Sequence, residues 1–448
     1  MLSVLADRTY RHLFLAQVIA LVGTGLATVA LGLLSYELAG ANAGVVLGGA
    51  LAIKMIAYIG VGPIVNAFVD RLPRRAFLVS MDLVRAAVAV MLPFVTEIWQ
   101  IYLLIFLLQS ASAAFTPTFQ AVIPDILPDE KRYTRALSLS RLAYDMESLV
   151  SPILAASLLT VISFHWLFGG TVIGFMASAA LVVSVVVPQP KAVKREGGIY
   201  ARTTRGIRIY LKTPRLRGLL ALNLAAAAAG AMVIVNSVVY VRTLIGRSSD
   251  DMALALAAFG GGSMATALLL PRVLERVGDR TTMVAASWLL TIALVGMAIL
   301  TVAPGVDRWV ALLILWAILG VGYSAVLTPS GRLLRRSAAP DDLSAVFAAQ
   351  FALSHGCWLL TYTVAGSLGA AFGMAPTLMA LAALSLAGVI VALRAWPAVD
   401  PEQLAHLHPD LPPQHSHLRE GEPSSAPAGH QHPFVIDDLH PNWPRGVM

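Results

Sequence analysis

Four charges set inside long apolar runs are the residues best equipped for chemistry: Lys54, Arg141, Asp145 and Glu147. Arg141 and Asp145 stand at i,i+4, one above the other on a helix, and can pair. Glu147 falls about 200° round the helix from Asp145, on a stripe with Tyr144, Ser148 and Ser151. It therefore cannot share that pair. A carboxylate on a polar stripe of a membrane helix reads as a proton or cation site, or else as a structural ion pair. An unpaired Lys at mid-bilayer costs roughly 2.5–3.5 kcal/mol on insertion scales. Lys54, flanked by Ile53, Met55 and Ile56, is accordingly expected to face a cavity or an acid.

Histidine supplies the second chemical group. Seven of the ten His lie beyond Pro397, six of them as H-x-H pairs: His406/His408, His415/His417 and His430/His432, with His440 following. In an extended segment, residues i and i+2 project to one side, so both imidazoles of a pair can reach one ion. Imidazole is mostly neutral at pH 7 and suits Ni, Cu, Zn and Co. All seven are candidate metal ligands. His355 and Cys357 also stand at i,i+2, but on a helix that spacing puts them on different faces.

The elements that must position these groups follow from composition. The 448 residues are 57% apolar and 13% charged, with a mean hydropathy of +0.74. Soluble domains are about a quarter charged, so this chain lacks the polar atoms for a fully wet surface. Apolar runs long enough for a ~30 Å hydrocarbon core, without period-two alternation, predict membrane helices rather than a barrel. Twelve spans are expected, near 11–37, 43–69, 76–97, 98–123, 138–161, 164–187, 217–242, 252–274, 281–303, 308–329, 343–371 and 375–396. They divide into a bundle over 1–187, a basic linker over 188–216 and a second bundle over 217–396. Residues 397–448 hold ten of the 25 Pro and are expected to be disordered, with one short helix near 401–408. The first span is too long for a signal-peptide core, so it is expected to be retained.

Lys and Arg crowd one set of alternate segments, whereas the opposite loops hold only Arg242, Arg247 and Arg308. By the positive-inside rule both termini are expected in the cytoplasm. The net charge of +7 is thereby explained by topology and needs no nucleic-acid partner. A single Cys excludes an internal disulfide framework.

The halves repeat each other. Asn66 to Arg75 reads N-A-F-V-D-R-L-P-R-R, and Pro271 to Arg280 reads P-R-V-L-E-R-V-G-D-R. Without gaps, Glu275 falls on Asp70, Arg276 on Arg71, Gly278 on Pro73 and Arg280 on Arg75. Thr116-Pro117-Thr118 is echoed by Thr328-Pro329-Ser330, and Pro128-Asp129-Glu130 by Pro340-Asp341-Asp342. Such repeats mark transporters of duplicated build. Asp82 and Arg85, i,i+3 near the start of the third span, are expected to pair and tie that span to the 66–75 loop.

The 66–75 stretch resembles the loop motif G-x-x-x-D-R-x-G-R-R/K of the major facilitator superfamily. Asp70, Arg71, Arg74 and Arg75 match, while Asn66 and Pro73 replace its two Gly. Ser151 to Ala156 is similar to the family's antiporter motif G-P-x-x-G-G in helix five. The resemblance covers residues 11–396. It implies two six-helix bundles, with the loop latching the cytoplasmic side and its Asp facing the start of helix eleven near Leu343. D-R-L-P-R-R, A-L-S-L-S-R at 136–141 and the His-rich tail together resemble NreB-type nickel-resistance exporters. That narrower likeness implies proton-driven efflux of Ni²⁺, with the tail gathering the ion.

The expected protein is thus an all-α, twelve-helix carrier of the bacterial inner membrane, monomeric, and not an enzyme. It works by H⁺/divalent-metal antiport, nickel being substrate rather than cofactor. Glu147 or Asp145 exchanges a proton for the cation, with Arg141 as the partner of Asp145. Lys54 repels or releases the ion. Two rivals stand beside it: export of a siderophore or drug-like molecule, and a metal sensor that transports nothing.

Overall fold

The computed structural model describes residues 2–39, 43–69, 72–189, 199–303, 307–401, 403–408, 416–419, 422–423 and 429–444. The first bundle holds α1 (Arg8–Ala39), α2 (Ala43–Val69), α3 (Arg74–Met91), α4 (Ile98–Ile126), α5 (Glu130–Leu159) and α6 (His165–Val183). A short amphipathic helix, α7 (Ile199–Lys212), leads into the second. That bundle holds α8 (Pro214–Val239), α9 (Ser249–Leu274), α10 (Asp279–Val302), α11 (Arg308–Leu327), α13 (Leu343–Phe372) and α14 (Met374–Ala395), with the short α12 (Ser330–Arg336) after α11.

Among the described residues, eleven helices are long and apolar enough to cross a membrane. The twelfth, α5, is equally long at 30 residues, and Arg141, Asp145 and Glu147 account for its lower apolarity. The expected twelve-helix, two-bundle architecture is what the chain builds. Span two coincides with its expected limits, whereas α5 begins eight residues before the expected 138 because the charged turn after Asp129 is already helical. The expected linker loop carries α7, packed on α2 and α13.

Helix ends follow local chemistry. Asp129 caps α5 by accepting from Arg132 N at 2.8 Å. Asp307 caps α11 through Trp309 N, and Ser248 with Asp251 forms a capping box on α9. Such caps satisfy amides that the first turn leaves without partners. Trp99 and Trp166, in the first turns of α4 and α6, are 61% and 69% exposed. They stand where an aromatic belt meets the lipid interface.

Packing inside each bundle relies on small residues, because apolarity alone gives little attraction between helices in lipid. At the α9–α11 crossing a Cβ on Gly320 would lie 1.9 Å from Phe259 O, and one on Gly262 would lie 2.1 Å from Ala317 O. Only glycine permits that approach. The first bundle has two apolar cores, one around Tyr10, Phe119 and Tyr133 at the end where α1 begins, the other around Leu34, Ile101 and Phe168 at the far end. Between them runs a polar layer of Gln17, Asp82, Arg85, Gln109 and Ser178. The bundles meet where α2 and α4 pack on α13 and where α5 packs on α9.

The tail departs from expectation. Instead of disorder and a helix near 401–408, its described residues form a small sheet, ordered β1 (Gln403–Leu407), β3 (Gly429–Pro433), β2 (Glu422–Pro423). Strands β1 and β3 run antiparallel with His406 opposite His430 and Leu404 opposite His432. The cause is a period-two pattern hidden in the Pro-rich composition. His430, His432, Phe434 and Ile436 fall at alternate positions, and Leu404, Phe434 and Ile436 join the apolar core of the second bundle.

Candidate functional site

At mid-height, where the bundles meet, α2 presents Lys54 and Tyr58 one turn apart. The Tyr58 hydroxyl donates to Gln109 Oε1 of α4 at 2.8 Å, which fixes its ring. Lys54 Nζ lies 5.5 Å from that ring's centroid, a cation–π distance. From α13, the His355 ring meets the Tyr58 ring edge-on at 4.6 Å, and the Phe351 ring lies 4.8 Å from the Tyr58 ring. A second group of rings stands on α9, α11 and α13: Phe259 of α9 lies 5.4 Å from Tyr323 of α11, and Tyr323 lies 6.1 Å from Trp358 of α13. All six rings are only half-buried.

The α5 charges divide as the helical wheel requires. Arg141 pairs with Asp145, and its guanidinium lies 4.8 Å from the Tyr323 ring. Asp145 also accepts from Ser263 Oγ of α9 at 2.6 Å, so this pair fastens one bundle to the other. Glu147 turns instead toward α1: its Cγ lies 3.6 Å from where a Cβ on Gly25 would stand. It is half-buried, with Lys54 and Arg141 the cations within electrostatic reach. The structure thus places Lys54 and Arg141 within electrostatic reach of Glu147, while the direct partner of Arg141 is Asp145. Cys357 faces Leu220 O of α8 and His355 faces Tyr58, so the two share no site.

The bundles are closed at the end carrying the termini, but not by the residues that the loop motif singles out. Asp70 and Arg71 lie outside the described residues. Arg74 pairs with Asp125 at 2.6 Å and Arg75 donates to Val183 O, both within the first bundle. Asp82 and Arg85 pair with each other, but Ser178 Oγ reaches Asp82 at 2.8 Å. Arg85 stacks between Phe115 and Phe175. The pair therefore ties α3 to α6 and α4, not to the loop, because both side chains face the bundle interior. Glu275 and Arg276 are exposed, and Arg280 donates to Trp396 O at 3.0 Å.

Closure comes from α12. Arg332 reaches across to Glu130 of α5 at 2.5 Å, contacts Asp279 at 3.3 Å and donates to Thr134 Oγ1 at 3.1 Å. Arg335 donates to Pro128 O and lies over the Tyr133 ring. The acid missed in the sequence is Asp279. It neighbours Arg280 in the repeated string, and in the gapless register it falls on Arg74 rather than Asp70. Its partner Arg332 lies outside both copies of the string.

In the tail, six imidazoles converge: His406, His408, His417, His430, His432 and His440. His415 lies outside the described residues. Burial pushes His406 and His430 down to about 4, and His408 in the same direction, each helped by neighbouring imidazoles. At neutral pH these three are unprotonated, the form that binds metals.

Residues 13–303 and 219–430 match the Major Facilitator Superfamily model. In sequence the chain is similar to macrolide efflux protein A of Enterococcus faecalis, 26% identical over 153 residues, 32% of this chain and 47% of that protein. The same protein of Streptococcus pyogenes is 25% identical over 178 residues, 39% and 43% of the respective chains. The chain thus spans less than half the length of these relatives. An uncharacterized MFS-type transporter of Bacillus subtilis, YfiS, is 22% identical over 299 residues, 65% of this chain and 70% of that one. In fold, the human organic anion transporter MFSD10 superposes with a TM-score of 0.70 at 13% identity, covering 86% of this chain and 99% of that chain. The proton:xylose symporter XylE superposes at 0.68, also at 13% identity, covering 88% and 96%. With both bundles matched by the family model and this fold shared with solved transporters, the chain belongs to the major facilitator superfamily of multi-pass membrane transporters.

Proposed function

We propose that this transporter exports drug-like organic molecules from a bacterial-type cell, driven by protons, with both termini in the cytoplasm. The observation that carries the reading is the set of half-buried aromatic rings where the bundles meet, which we take as the walls of a substrate chamber. Tyr58, Phe351, Trp358, Tyr323 and Phe259 supply the apolar surface. Lys54, His355, Gln109 and Arg141 are polar groups against those rings, and Glu147 is within electrostatic reach of Lys54 and Arg141. Apolar walls with sparse polar groups suit an organic guest, whereas a bare divalent cation needs several fixed N or O ligands. The likeness to macrolide efflux proteins supports the same direction of transport.

In this reading Glu147 is the proton carrier. As a carboxylate it sits in the field of Lys54 and Arg141. Taking a proton from the outside removes that attraction, loosens Lys54 toward Tyr58, and releases the guest. Losing the proton to the cytoplasm resets the chamber. Alternating access about a midplane site is the general scheme for such folds. The Arg332–Glu130 latch must break each time the chamber faces the cytoplasm.

A second reading, a divalent metal such as nickel as cargo, draws its support from the tail imidazoles alone. Cells with and without the chain separate the two. Organic export is expected to raise tolerance to lipophilic antibiotics and leave cellular Ni, Co, Zn and Cu unchanged. Lowered metal content with unchanged antibiotic tolerance would favour the second reading.

A further inference from the structure

The imidazole cluster is a coordination geometry rather than a stack of rings. His406 Nε2 lies 2.9 Å from His440 Nε2. His408 Nε2 lies 3.1 Å from His440 Nε2 and 3.2 Å from His417 Nε2. His430 Nε2 lies 3.1 Å from His417 Nε2. Nitrogens about 2.0–2.1 Å from one metal ion stand about 3.0 Å apart at right angles and about 3.4 Å apart at tetrahedral corners. The two overlapping sets, His406/His408/His417/His430 and His406/His417/His432/His440, each bring their ligand atoms within 4.8 Å of one another.

The outward nitrogens are already held. His406 Nδ1 meets Leu404 O at 2.9 Å, His440 Nδ1 meets Asp437 Oδ1 at 2.8 Å, and His432 Nδ1 meets Pro433 O at 2.9 Å. A proton donated to each of these oxygens leaves the Nε2 lone pair facing inward, which is how metal-binding His is usually oriented. His432 Nε2 is buried without a hydrogen-bond partner among the described residues. A shared proton can satisfy one imidazole pair. Three lone pairs turned inward, with the Nε2 atoms of His408, His417 and His430 beside them, are the arrangement a metal cation satisfies.

The cluster is also wired to the closed end of the bundles. Strand β3 runs from His430 and His432 straight into Pro433 and Val435, which line a cleft of about 570 Å³ together with Glu130, Asp279 and Arg332. Beyond it, Asp438 takes the Arg205 guanidinium at 2.8 Å, and Arg205 also holds Asp342 at the head of α13. Lys212 donates to Pro441 O at 2.7 Å, and Trp443 lies 5.2 Å from the Arg215 guanidinium. Taking the cluster apart therefore loosens the cover over the latch.

We propose that the tail imidazoles form a site for a divalent transition metal whose occupancy fastens the tail over the Arg332–Glu130 latch and holds this end of the transporter closed. The metal acts as a regulator, whatever the cargo. By linkage, opening the latch must weaken metal binding by the same factor as metal strengthens closure.

Hydrogen exchange of the full chain in lipid nanodiscs tests this, with Zn²⁺ or Ni²⁺ alone as probe and no transport substrate. Metal at ten times its Kd is expected to slow exchange about tenfold in residues 403–444, and also in 128–134 and 330–336. His406→Gln with His417→Gln is expected to abolish both effects. Trp443→Ala keeps every ligand and leaves the Asp438–Arg205 and Lys212–Pro441 ties, so it is expected to retain metal affinity and tail protection while losing part of the protection at 128–134 and 330–336. Absence of binding at micromolar metal would overturn the site. Binding that protects the tail and leaves the latch unchanged in the unaltered chain would overturn the latch, as would full latch protection in Trp443→Ala.

Discussion

Asp145 and Glu147 lie two positions apart on α5 and serve different ends, because their side chains leave the helix in different directions. Asp145 is spent on Arg141 and Ser263. Removing one partner of a buried ion pair costs about 3–5 kcal/mol, so Asp145→Asn is expected to lower the thermal midpoint sharply. The double change Arg141→Met with Asp145→Leu leaves no orphaned charge and is expected to recover most of that loss in the same melting measurement. Glu147→Gln is expected to melt as the unaltered chain does. At this scale the charges were legible in the sequence because charge is scarce in apolar helices. Their roles were not, since Asp145's partner Ser263 lies 118 positions away. Tyr58, Tyr323 and Trp358 look like ordinary apolar-run aromatics until α2, α11 and α13 are brought together.

At the level of elements, eleven of the spans were readable as long, largely apolar stretches bounded by charges, caps or Pro, and α5, despite its internal charges, by its length and its place between two of them. The latch was not. A gapless repeat puts Glu275 under Asp70, whereas the buried acid is Asp279, and its partner Arg332 sits on α12 beyond the repeated string. Arg332→Ala strips Glu130, Asp279 and Thr134 of one shared partner. Hydrogen bonds to a charged group are worth about 1.5–3 kcal/mol, so the closed state should lose roughly ten- to hundredfold in population. Leu137 of α5 packs against Gly331 of α12, so thiol labelling of Leu137→Cys in a Cys357→Ser background checks this, with faster labelling expected in the Arg332→Ala chain. The α9–α11 crossing gives a second check. Gly320→Ala puts a methyl group against Phe259 O, an overpacking worth about 1–3 kcal/mol. A lowered melting midpoint is expected, together with weakened substrate binding, since Phe259 is one of the rings of the candidate site.

For the whole molecule, composition announced a duplicated membrane carrier and misjudged the tail. Pro and polarity argued for disorder, yet the alternation from His430 to Ile436 is a strand pattern, and its apolar members find the core of the second bundle. The choice of cargo turns on which feature is weighed. The tail favours a metal and the aromatic site favours an organic guest, and in the proposed function transport passes through the aromatic site. Proton-driven organic export through Glu147 is therefore tested most directly with the purified chain in proteoliposomes under an imposed pH gradient. Antibiotic movement and counter-moving protons are followed together, with Ni²⁺ in a parallel set. The expected result is uphill movement of the organic compound coupled to protons, lost in Glu147→Gln, with Ni²⁺ left where it was. Proton-coupled Ni²⁺ movement without any organic flux, or undiminished coupling in Glu147→Gln, would contradict it.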